Sequence, residues 1–283
     1  MYAGFISPKR VIKKTGIHQR FDVAAYKMIA HYLPDEVFPE IKSILRFEGY
    51  NGPDGLNSKI GLKPKSSDPD AIDDHNPSHL YDPIKDVGEV PMHIASHYDG
   101  LVQCIVSGDM VRGSFEAAWL AHYVGDGLTP AHHFPLEDKI AEAAAKAKKD
   151  LNAGRFSQFS GHVQKNWDIW GYKGHMSTHQ NFEIGIALAL LIFPIRPKFE
   201  DKELAKARHL GPVEYFKAEA RDIASLELYE RFYKVGWTSD IASVIKKTLA
   251  PQAARTIGII WLLALLDAGE QLVINEPVAE AAA

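Results

Sequence analysis

AWLAHYVGDGLTPAHH, residues 118–133, decides how this chain is read. An apolar helical run over 115–124 leads directly into three histidines and an aspartate set around Gly125, Gly127 and Pro130. His122 and Asp126 are four apart, so on a helix both side chains project from one face. His132 follows Asp126 at a spacing of about −120° around an ideal helix, so a straight helix would not aim all three at one point. Pro130 can bend or end the helix there, and an aspartate can bridge two metal ions. Separate pointing directions suit a polynuclear centre better than a mononuclear one.

The composition narrows what such a centre is made of. The chain has 283 residues, 46% apolar and 24% charged, which is ordinary for a folded protein with a sizeable core. A net charge of −4 gives no broad basic face for a nucleic-acid backbone. One cysteine, Cys104, excludes an internal disulfide and a thiolate metal site, so any metal must be held by His, Asp and Glu. The opening MYAGFISPKRVIKK lacks the apolar core of a secretory signal. The two greasiest runs, 184–195 and 257–266, fall short of the roughly 20 residues that cross a bilayer and read as buried core helices. With a lone cysteine, this favours the cytoplasm.

Working outward, most of the chain has helical periodicity. HQRFDVAAYKMIAHYL repeats apolar residues at helical spacing and stops at Pro34. A second helix is expected over 36–48. Residues 49–89 are rich in Gly, Pro, Asp, Asn and Ser and read as a long loop, of the length that usually carries function. Helices are expected over 92–106, 115–124 and 136–151, the last a solvated one with Glu142 and Lys146 in i,i+4 register. Three or four more are expected over 200–272, with a frayed tail at 275–283. No β alternation, repeat or linker stands out. The expectation is a single all-α domain over 1–283 with its metal-ligand region at about 15–190.

HQNFE repeats the i,i+4 logic with His179 and Glu183, SHLYDP offers His79, and TGIHQRFD offers His18 at the head of the first helix. Together they form a nitrogen- and oxygen-donor set suited to zinc. His31, His93, His97, His162, His175 and His209 read as structural.

AWLAHYVGDGLTPAHH, followed by HQNFE and preceded by SHLYDP and GIHQRFDVAAYKMI, resembles the zinc-dependent phospholipase C and P1/S1 nuclease superfamily over residues 15 to about 190. The resemblance implies an all-α fold with two or three Zn²⁺ ions in a cleft. It implies that His122 and Asp126 bind one zinc with His79 and an upstream aspartate. That aspartate is Asp54, in GYNGPDGL, with Asp70 and Asp74 as alternatives. Asp126 would bridge to a second zinc shared with His18, and His132, His179 and Glu183 would hold the remaining one. Two departures stand out. Secreted members bind a zinc through an N-terminal Trp that this sequence does not show, and the span from His133 to His179 is longer than usual. The inserted NWDIWGYKGH supplies Trp167, Trp170 and Tyr172, of which Trp167 and Trp170 are expected at the substrate.

The implied chemistry is hydrolysis of a phosphodiester, phospholipase C-like or nuclease-like, by a metal-activated water, with Asp54 or Asp126 serving catalysis. Substrates in scope are a phospholipid, a small phosphodiester or a nucleic acid, the last as substrate only. G-x-S-x-G, P-loop, H-E-x-x-H and His-Asp motifs are all missing. The rival expectation is a non-catalytic zinc-binding protein on the same scaffold, with a structural or decayed site. A membrane-surface module finds no basic amphipathic helix in the sequence.

Overall fold

A computed structural model describes residues 16–33, 36–48, 52–53, 79–152, 166–168, 171 and 174–275. Asp54, Asp70, Asp74, His162, Trp170 and Tyr172 lie outside the described residues.

Helix α1, Ile17–Ile29, begins at Gly16, whose N–H donates to the Gln19 side chain at 3.0 Å. Its buried face mixes Ile17, Phe21, Ala25 and Ile29 with His18 and Asp22. Helix α2 is only Ile41–Ile44, continued by a 3-10 turn over Leu45–Phe47. It starts later than the expected residue 36 because Glu36 has φ 65, a left-handed conformation, and Pro39 disfavours helix at the residue before it. A short antiparallel hairpin pairs β1, Tyr81–Asp82, with β2, Val87–Gly88. The Asp82 carboxylate caps its turn by accepting from the N–H groups of Ile84 and Lys85. Two-residue strands show no alternation in a sequence.

Helix α3, Val90–Ser107, and α4, Met110–Gly127, are antiparallel neighbours. Gly108 closes α3 at φ 76, and the Asp109 side chain at once caps α4 by accepting from Arg112 N–H at 3.0 Å. Helix α5, Leu136–Asn152, follows a 3-10 turn at Pro130–His133. Its surface ion pair is Lys139–Glu142 at 2.7 Å, in place of the expected Glu142–Lys146.

Helix α6, His175–Leu190, buries Phe182, Ile186 and Leu190. Phe182 lies among the rings of Tyr229, Phe232 and Trp237. The run 184–195 is not a wholly buried helix: Ile184, Leu188, Leu191, Ile192 and Phe193 are exposed. Apolar composition shows that a helix disfavours water; it does not show which of its faces finds a partner.

Five helices follow: α7, Asp201–Leu210; α8, Pro212–Ala224; α9, Leu228–Val235; α10, Ser239–Val244; and α11, Ala250–Asn275. Buried Glu219 of α8 ties three of them together, accepting from Lys206 of α7 at 2.9 Å and Arg255 of α11 at 2.7 Å. Helix α11 packs against α1, α3 and α4, and Trp261 donates its indole N–H to Ala117 O at 3.0 Å. The run 257–266 is thus the middle of a longer helical stretch, Ser239–Gln271. That stretch passes the length and hydropathy test for a membrane span, yet 72% of its most apolar window is buried inside the fold. It is the central strut, and the described chain is mostly helical around it.

Candidate metal centre

Helix α4 carries His122 and Asp126 in its last two turns and ends at Gly127. Leu128 and Thr129 leave the helix, and the Pro130–His133 turn swings His132 back over the helix end. The six-residue offset that a straight helix could not close is closed by that turn. His132 Nε2 lies 3.4 Å from Asp126 Oδ1. Helix α1 brings His18 Nε2 to 3.2 Å from the same oxygen, and His122 Nε2 is 3.2 Å from Oδ2. The rings of His18 and His122 stack with centroids 4.0 Å apart. That close crossing needs Gly125: a Cβ there would sit 3.0 Å from His18 Nδ1.

A second group adjoins the first. His132 Nε2 is 3.1 Å and His179 Nε2 is 3.0 Å from Glu183 Oε1, the latter pair i,i+4 on α6. Two buried groups could therefore hold a metal ion: His18, His122 and Asp126, and His132, His179 and Glu183. His132 faces both carboxylates and so links them.

The hydrogen bonds on the far ring nitrogens set the tautomers. His132 Nδ1–H donates to the carbonyl of His79 at 3.0 Å, and His122 Nδ1–H donates to Glu48 Oε2 at 3.3 Å. In a neutral ring this leaves the Nε2 lone pair facing a carboxylate, which is repulsive unless a cation lies between. Burial holds His132 below the usual histidine range, favouring that neutral form. Burial pushes the Asp126 carboxyl up, but positive charge in the cluster outweighs it and holds it well below the usual range. Burial would likewise raise the Glu183 carboxyl, yet it too is held well below the usual range. Neutral imidazoles and ionised carboxylates are the metal-binding forms. The spacing fits as well. Ligands about 2.0–2.2 Å from a tetrahedral zinc lie roughly 3.3 Å from one another, and the nitrogen–oxygen separations here run from 3.0 to 3.4 Å. Neither ring nitrogen of buried His18 has a hydrogen-bond partner among the described residues.

His79 reaches the cluster differently from the resemblance. Its Nδ1–H donates to Asp126 Oδ2 at 2.7 Å, a direct hydrogen bond, and it belongs to neither group. His133 turns away and donates Nε2–H to Gly127 O at 2.8 Å, with burial lowering its pKa to about 4. His97 donates to buried Glu116 at 2.7 Å and His93 stacks on Tyr123, both structural as expected. Trp167 is 64% exposed and lines a cavity of about 450 Å³ with Lys139, Lys146, Asp168 and His175. None of the ligating side chains lines that cavity, although His175 stands one turn before His179.

Two carboxylates at the centre were not singled out in the sequence. Glu48 backs His122, as above. Asp22, one turn after His18 on α1, is fully buried, and neither of its oxygens is hydrogen-bonded to a described residue. Burial and then Glu48 push its carboxyl well above the usual range, against the pull of His122. Its signal was present: His18-x3-Asp22 repeats the spacing of His122-x3-Asp126 and His179-x3-Glu183. Compared with models of known families, with curated proteins and with solved structures, the chain has no match.

Proposed function

We propose that this chain is a zinc-dependent phosphodiester hydrolase of the phospholipase C/P1 nuclease type. One observation carries the reading: the Nε2 of His132, whose Nδ1 lies 3.0 Å from the His79 carbonyl, is 3.4 Å from Asp126 and 3.1 Å from Glu183. A neutral His132 ring offers one lone pair and would serve one cation with His179 and Glu183, while His18, His122 and Asp126 would hold another, and an all-nitrogen-and-oxygen donor set suits zinc. Ions held there would supply Lewis-acid activation of water and neutralisation of phosphate charge.

The chain's own contribution is positional. Ionised Asp126 and Glu183 compensate the cations, His79 and Glu48 fix the orientation of Asp126 and His122, and burial excludes bulk water. Asp54 as proton acceptor and Trp170 as a substrate wall lie outside the described residues. Trp167 is assigned to the substrate side through its cavity beside α6. A second reading has one observation in its favour. His18, His122 and Asp126 are almost wholly buried, as in a closed structural site, while Glu183 stays partly exposed.

The deciding experiment is a panel of phospholipid, nucleotide and single-stranded nucleic-acid phosphodiesters, run with chelator and zinc add-back. Hydrolysis of one class, lost on chelation and restored by zinc, is expected. A zinc-loaded chain that cleaves none of them favours the structural reading.

A further inference from the structure

The helix that supplies His179 and Glu183 turns apolar on all sides in its C-terminal half, Ile184 onward. On one side Phe182, Ile186 and Leu190 enter the core with the two ligands. On the opposite side Ile184 is 46% exposed, Leu188 65%, Leu191 55% and Ile192, just past the helix end, 93%. At about 100° per residue, Ile184, Leu188 and Leu191 form one stripe. The helix is fixed rigidly beneath it. Trp237 lies so close over Gly185 that a Cβ there would meet the indole at 1.8 Å, and its Nε1–H donates to Asn181 O at 3.2 Å. The Arg20 guanidinium ties down the far end by donating to the carbonyls of Leu190 and Phe193.

Four cations gather at the C-terminal end of the stripe. Lys246 places its ammonium 5.7 Å from the Phe193 ring centre, beside exposed Lys247, and exposed Arg196 and Lys198 follow Phe193 in the chain. None of these four is in an ion pair with a described carboxylate. Between Ile184 and Phe199, and between Ile241 and Leu266, there is no Asp or Glu, with Glu200, Asp240 and Asp267 at the edges of these spans. Aliphatic side chains projecting from a convex helix, rimmed by Lys and Arg, match an acyl boundary under anionic headgroups. A second copy of the chain fits less well, because a two-fold contact would set each basic rim against its equivalent.

We propose that this face docks the protein on an anionic lipid surface. The assignment does not rest on metal chemistry, since binding needs no turnover. The test is co-sedimentation of the full chain with phosphatidylcholine vesicles, with and without phosphatidylserine, alongside sedimentation velocity in the absence of lipid. Binding to the phosphatidylserine vesicles is expected, weakened by added salt. Leu188→Glu with Ile192→Glu should lower it about tenfold or more with the melting temperature unchanged, because both side chains already face water. Lys246→Glu with Lys247→Glu should remove the preference for phosphatidylserine. Three results overturn the proposal: folded wild-type chain that ignores these vesicles, binding that survives both pairs of substitutions, or a wild-type dimer that Ile192→Glu converts to a monomer without any vesicle binding.

Discussion

Glu48 and Asp22 show what a pattern of spacings hides at the scale of a residue. His122 and Asp126 were legible because four-residue spacing on a helix is a local property. Glu48 reaches His122 across 74 positions, so no local spacing could point to it. Asp22 did share the local spacing, but inside an amphipathic run it passes for the polar edge of a helix. A carboxylate behind a ligating imidazole fixes its orientation and raises its basicity. Glu48→Gln is therefore expected to weaken zinc binding by about 10–100-fold, measured by competition with a chromogenic chelator, with helical content unchanged. Wild-type affinity in that variant would remove Glu48 from the centre. Asp126→Asn keeps the shape and deletes the charge that four imidazoles face. It is expected to lose metal and to slow hydrolysis on the order of 10²-fold or more.

Between elements, the centre depends on how closely α1 crosses α4. Gly125 permits that approach, with His18 Nδ1 only 3.0 Å from where a Cβ would lie. Alanine in a helix interior gains up to about 1 kcal/mol over glycine, while the His18 ring must retreat by some tenths of an ångström. Gly125→Ala should thus hold or raise the melting temperature while lowering metal affinity; unchanged affinity would show that the crossing has slack. The junction of α7, α8 and α11 behaves differently, since its energetics rest on one buried charge. Burial would raise the Glu219 carboxyl, but Lys206 and Arg255 hold it below the usual range. A depressed carboxyl stabilises the fold above its unfolded pKa, and that stability is lost as pH falls through its folded value. Glu219→Ala strands Arg255 and should cost about 3–5 kcal/mol in denaturant melts. Glu219→Gln should flatten the acid limb of the stability curve. An unaltered limb would mean that the network carries no net charge stabilisation.

For the whole molecule, the all-α character was legible because α1, α3, α4 and α5 each repeat apolar residues at helical spacing. The hydropathy of 257–266 also marked the core correctly, although not that the strut runs through Ser239–Gln271. The same hydropathy misled at 184–195, since burial is decided by neighbours that α6 lacks on one side. Trp167, expected at the substrate from its proximity to His179 in sequence, lines a cavity that reaches His175, one helical turn before His179. What joins α1, α4 and α6 is a pair of buried His and carboxylate groups that could each hold a metal ion. Elemental analysis of the zinc-reconstituted chain tests this most directly. Two ions per chain are expected, one for each group, with fewer in Asp126→Asn; a wild-type chain that retains less than one ion after reconstitution would contradict it.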